Sequence, residues 1–182
     1  MAEKQKLGWD RKEGYLGLNV KQGSTSIFCS PYDKIVVIRK DGTYQVIRVP
    51  EKQFIGKNAI SVEKLDSNKV HNIVYWEGAN QVCYAKRFRV EKFITDREYN
   101  LFPTKKGAKI LHLSHGDGIR VETSFVPRPR LRKSSQIFEL DTLAIKGIQA
   151  RGNRVSSKSV QSLKLATDRI DEQEMLPLPE IS

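Results

Sequence analysis

Five hairpin-like units recur along this chain, and that repetition restricts its fold more than any other feature. Each joins an apolar run, a turn glycine and a returning strand of alternating character. The clearest copy is residues 33–49, DKIVVIRKDGTYQVIRV. Residues 35–38 are a β-branched run, residues 44–49 alternate, and Lys40-Asp41-Gly42 offers the positive φ that a tight turn needs. Related units occupy residues 73–90 (IVYWEGANQVCYAKRFRV, turning at Gly78), 110–126 (ILHLSHGDGIRVETSFV, turning at Gly116 to Gly118) and 143–155 (LAIKGIQARGNRV, turning at Gly147). An earlier one, residues 7–20, turns at Gly14. Glycines 14, 42, 78, 116 and 147 recur at about 28 to 38 residues, within the range of solenoids, propellers and blade arrays. The pattern predicts an all-β fold, a propeller-like array of four or five blades, open or closed.

Between the units lie connectors. Pro50 has no N–H to donate and ends pairing before a basic connector at residues 51–57. A second, residues 97–107, carries Pro103 and the pair Lys105-Lys106. A third, Pro127-Arg128-Pro129-Arg130-Leu131-Arg132-Lys133, is held extended by its prolines, which suits it to lie along a phosphate backbone. Residues 59–65 and 160–165 alternate as half-buried strands do. Residues 1–6 are expected to be a disordered start, 7–166 the blade array and 167–182 an acidic disordered tail. From Asp168 onward five acids face one base, a net of −4, so the preceding residues carry +15 against +11 for the whole chain. Tethered to such a body, the tail either competes for its cationic surface or is a solvated segment that aids solubility.

Charge of that size on a folded chain points to a polyanionic partner. No apolar run approaches the length of a membrane span and the first residues are too polar for a signal peptide, so a soluble, cytoplasmic protein with no membrane partner is expected. Cys29 and Cys83 are far apart without metal-ligand spacing and read as small buried thiols. His112 and His115 stand three apart at the end of a strand, where such residues face opposite sides, so no metal site is expected. No phosphate loop, nucleophile elbow or paired carboxylates occur, so no catalytic residue, cofactor or enzymatic activity is assigned to this chain.

What repeats from unit to unit is cations. Arg39, Lys40, Arg48, Lys52, Lys57, Lys86, Arg87, Arg89, Lys92, Lys105, Lys106, Lys109, Arg128, Arg130, Arg132, Lys133, Lys146, Arg151, Arg154 and Lys158 are the candidate phosphate contacts. In residues 84–93, Lys86, Arg87, Arg89 and Lys92 interleave with Tyr84, Phe88, Val90 and Phe93, so one face can bury aromatics while the other presents charge. Cations also protect edge strands from aggregation, but acids serve that purpose equally well, and here the balance is one-sided. The leading reading is duplex DNA bound without sequence preference along a basic rim. Two others stand beside it: an interaction propeller whose rim takes an acidic protein, and an RNA module stacking bases on Tyr44, Tyr84 and Phe88.

Three stretches, GYLG at residues 14–17, FVPRPRLRK at 125–133 and IKGIQARGN at 145–153, together with the hairpin pattern, resemble the C-terminal domain of bacterial type IIA topoisomerase A subunits, the topoisomerase IV and gyrase A-subunit family. The resemblance spans residues 7–165. It implies a β-pinwheel with DNA bent or wrapped along its outer rim, in a non-catalytic, monomeric module of an ATP-dependent enzyme. Its partners would be duplex DNA, the ATPase B subunit of the enzyme, and the remainder of the A subunit. Gyrase A subunits carry a box, Gln-(Arg/Lys)-Arg-Gly-Gly-Lys-Gly, that fastens the array. Here Gln149, Arg151 and Gly152 match it and Arg154 replaces its lysine, whereas Ala150, Asn153 and Val155 depart from it. The likeness is therefore to the topoisomerase IV type.

Overall fold

A computed structural model describes residues 4–21, 25–77, 82–103, 107–156 and 160–166. The chain opens with the hairpin β1 (Gln5–Asp10) and β2 (Tyr15–Gly17), and β3 (Thr25–Cys29) pairs with the other edge of β1. The hairpin β4 (Lys34–Arg39) and β5 (Thr43–Arg48) begins a second sheet. The next strand does not join it. Instead β6 (Gln53–Phe54) goes back to the first sheet beside β2, and only then does β7 (Ala59–Lys64) pair with β4. The move repeats: β8 (His71–Glu77) and β9 (Val82–Phe88) start the third sheet, β10 (Glu98–Asn100) returns to β5, and β11 (Lys109–His115) pairs with β8. Finally β12 (Arg120–Phe125) and β13 (Ser135–Glu139) form the fourth hairpin. A 3₁₀ turn at Leu140–Thr142 follows, β14 (Asn153–Arg154) returns to β9, and β15 (Val160–Ala166) pairs with β12.

The result is a nearly all-β, open array of four antiparallel sheets. Each of the first three has its outer edge covered by a strand that arrives after the following sheet has begun, so neighbouring blades are laced together. Among the described residues the fourth sheet has three strands.

The cores sit between blades. Ile35 and Val37 of β4 pack toward the first sheet with Leu7, Trp9 and Leu16, while Val36 and Ile38 pack toward the third with Ile73, Tyr75 and Phe88. Val74 of β8, of opposite parity to Ile73 and Tyr75, joins Val121 and Phe125 of the fourth sheet. Strand parity of two thus feeds both faces of each inner hairpin, which is why residues 35–38 are a continuous apolar run rather than an alternating one. A fully buried aliphatic or aromatic side chain contributes roughly 1.5–3 kcal/mol, so these seams hold the array together. The β4–β5 turn shows how tightly: Gly42 has φ +91°, and a Cβ there would lie 2.4 Å from the Phe102 ring.

Several sequence expectations need correction. Residues 110–126 are not a hairpin, because β11 belongs to the third sheet and β12 to the fourth, with Gly116 and Gly118 turning the chain between blades. Residues 143–155 are not one either, and β14 is the returning strand of the third sheet. The Arg-Pro stretch is no link between blades but the loop of the fourth hairpin, between β12 and β13. β1 also takes in Gln5 and Lys6, which pair with Cys29 and Phe28. The turn at Gly78, the cations Lys105, Lys106 and Lys158, and the acidic tail lie outside the described residues.

Candidate nucleic-acid interface

Twelve of the described candidate cations are exposed: Lys40, Arg48, Lys52, Lys57, Lys92, Lys109, Arg128, Arg130, Arg132, Lys133, Arg151 and Arg154. Most cluster where the chain turns. Arg128, Arg130, Arg132 and Lys133 occupy a single loop, which the Leu131 N–H steadies by donating to the Arg128 carbonyl (3.1 Å). Lys40, Lys57 and Lys109 stand on three separate segments whose backbones meet at one junction. The Lys40 N–H donates to the Asn58 carbonyl (2.9 Å), and the Lys40 carbonyl accepts from the Ile110 N–H (2.7 Å). Two ammonium groups also lie over aromatic rings, Lys52 over Tyr15 (4.9 Å) and Lys109 over Trp76 (5.3 Å). Such stems pack along the surface and leave the charge facing solvent.

The remaining described candidates are engaged with the fold. Lys86 is buried, and its ammonium donates to the carbonyls of Leu101, Ile148 and Ala150, the last at 2.8 Å. Burial, with the Lys146 ammonium adding to it, pushes the Lys86 pKa down to about 7, while three carbonyls accepting its three protons favour the charged form. Lys86 is thus a pin joining three segments, not a phosphate contact. Arg87 is buried too, bonded to Asn72 Oδ1 (2.9 Å) and paired with Asp117. Arg39 donates to the Ile55 carbonyl (2.7 Å) and to Gln45 (3.0 Å), tying the first blade to the second. Arg89 is half-buried, with Nε inside the fold. The expected alternation of a cationic and an apolar face therefore fails on β9, whose two faces both pack into cores between blades, Tyr84 and Phe88 on one side and Cys83 and Ala85 on the other.

The stretch resembling a fastening box clamps the chain onto the third blade. The Gly152 N–H donates to the buried Tyr75 hydroxyl (2.8 Å), and a Cβ at Gly152 would lie 2.7 Å from the Ala85 carbonyl oxygen. Arg151, though exposed, reaches the buried Glu77 at 3.3 Å and lies 5.4 Å over Tyr84. Lys146 donates to the Arg151 carbonyl (3.3 Å) and to Asn153. Gln149 is exposed. Burial pushes the Tyr75 phenol up to about 12.

The three rings expected to stack bases are engaged within the fold. Tyr44 and Phe88 are buried, Tyr44 stacks on Tyr99 (5.3 Å) and Phe88 on His71 (5.2 Å), and Tyr84 lies against Tyr75 (5.4 Å). Both cysteines are buried thiols. Sequence reasoning missed the structural duties of Lys86, Arg87 and Arg39, whose partners lie up to 64 residues away.

The fold and these sites can be set against known proteins. A family model described as "Topoisomerase C-terminal domain, Bacteroidota" matches residues 6–167. A curated relative, the A subunit of DNA topoisomerase 4 from Borreliella burgdorferi, is 27% identical over 160 residues, which is 84% of this chain and 24% of that protein. The chain therefore spans about a quarter of the relative's length. Among solved structures, the C-terminal domain of DNA topoisomerase IV superposes with a TM-score of 0.64 at 12% identity, covering 92% of this chain and 62% of that one, which supports the open blade array. With the family model extending over nearly the whole chain, the protein belongs to the topoisomerase C-terminal domain family.

Proposed function

We propose that this domain binds duplex DNA without sequence preference and bends it along the exposed cations of its turns, as the non-catalytic C-terminal domain of a topoisomerase IV A subunit. The observation that carries the proposal is the sorting of the cations. Lys86 and Arg39, inside the fold, tie distant segments together, whereas seven of the twelve exposed cations lie on the β12–β13 loop or on the three segments that carry Lys40, Lys57 and Lys109. A surface built this way neutralises phosphates and releases counterions without reading base edges. Bending a site of this scale costs a few kcal/mol, on the order of 1–6, which added backbone contacts offset. In the full enzyme the domain would steer DNA toward the catalytic parts of the A subunit, which work with an ATPase partner.

A mobility-shift comparison of long duplex, short duplex and single-stranded DNA tests the reading. Affinity is expected to rise with duplex length over several helical turns and to be weakest for single strands. Equal affinity for a short and a long duplex would remove bending from the proposal, and preference for single strands would overturn it.

A further inference from the structure

Glu63, His71 and His115 are distant in sequence and meet at the seam between the second and third blades. Glu63 stands on β7, and His71 and His115 are direct cross-strand partners on β8 and β11. Glu63 Oε1 lies 3.4 Å from His71 Nδ1 and 3.1 Å from His115 Nε2, and the three atoms lie within 4.8 Å of one another. All three atoms are buried, and none has a hydrogen-bond partner of proper geometry among the described residues. His71 itself is only 2% exposed. A carboxylate oxygen and two imidazole nitrogens gathered away from water at such distances call for a positive charge among them, a proton or a metal ion.

We propose that these residues form a binding site for a zinc-class divalent transition-metal ion, held by two imidazole nitrogens and one carboxylate oxygen. A tetrahedral ion with bonds of about 2.0–2.1 Å separates its ligands by roughly 3.3–3.4 Å, close to both carboxylate–imidazole distances. Two nitrogen donors exclude the hard ions magnesium and calcium and suit zinc, cobalt or nickel. The surroundings hold the ligands in place. Lys69 Nζ donates to Glu63 Oε2 (2.8 Å) and leaves Oε1 directed at the imidazoles. The His71 ring is fixed by stacking on Phe88 at 5.2 Å, and the β8–β11 ladder sets its position opposite His115. Nearby His112 takes no part, since its Nε2 pairs with Ser114 Oγ (2.8 Å). Because Glu63 comes from one blade and both histidines from the next, the ion would staple the seam. This site is independent of the exposed cations assigned to DNA.

The whole chain, stripped with chelator and dialysed, should take up about one equivalent of zinc by calorimetry. With cobalt it should show the visible absorption of a four-coordinate nitrogen and oxygen site. At zinc about a hundredfold above Kd, Tm should rise by roughly 5–10 °C, with no such rise in magnesium. His115→Ala, at a partly exposed position, and Glu63→Gln should each weaken uptake at least about tenfold, while His112→Ala leaves it unchanged. Circular dichroism establishes that each variant is folded. Absence of stoichiometric uptake by the wild-type protein, or uptake equally strong in folded His115→Ala and Glu63→Gln, would overturn the site.

Discussion

The Lys86 ammonium stands 2.8 Å from the Ala150 carbonyl oxygen, joining β9 to a loop that arrives only after the fourth hairpin has formed. With the Leu101 and Ile148 carbonyls on the same ammonium, one side chain satisfies acceptors from two segments of the chain besides its own strand. Lys86→Met removes the donor and leaves those carbonyls buried without it. It is expected to lower stability by about 2–4 kcal/mol, measured by urea unfolding. A variant as stable as the wild type would mean that the carbonyls are satisfied some other way.

The exposed tract behaves differently. Replacing Arg128, Arg130, Arg132 and Lys133 together by alanine should weaken duplex binding and lower the salt dependence of affinity. The melting temperature should stay near that of the wild type, since exposed loop changes cost under about half a kcal/mol each. Unfolding of this variant would show that the tract is structural.

A separate variant, Lys40→Ala with Lys57→Ala and Lys109→Ala, tests the junction where three segments converge. If each ammonium meets one phosphate, the slope of log K against log salt should become shallower by about three. An unchanged slope would place DNA elsewhere on the surface.

Gly152 and Tyr75 probe the clamp. Gly152→Ala would push a methyl group to 2.7 Å from the Ala85 carbonyl oxygen and 3.1 Å from the Tyr75 ring, with an expected loss of about 1–3 kcal/mol. The Tyr75 phenol, raised by burial from 10 to about 12, also makes stability pH-dependent. The unfolded chain loses this proton at lower pH than the folded one, so stability should fall as pH climbs from about 10 to 12. Tyr75→Phe should flatten that fall, as read by urea unfolding across alkaline pH. An equally steep fall in the variant would exclude the Tyr75 phenol as its source.

How much of this was legible beforehand depended on how far each residue's partners lie along the chain. The β4–β5 hairpin was plain because its apolar run, its turn glycine and its returning strand are contiguous. The 143–155 stretch misled because it contains a glycine and apolar residues at hairpin spacing, yet its one short strand pairs with β9, some 70 residues earlier. The same lacing hid the interior: Lys86 has the parity of the apolar Tyr84 and Phe88, and the carbonyls that receive its ammonium come from segments 15 to 64 residues further on. Exposed turn cations such as Lys40 and the Arg128 to Lys133 loop depend on no distant partner strand for their exposure, which could be read locally even though the loop's place in the fourth hairpin could not.

The salt dependence of duplex affinity tests the central claim most directly. With six or more phosphates neutralised, log K should fall against log salt with a slope of about −5 or steeper. A slope shallower than about −2 would contradict binding along a basic rim.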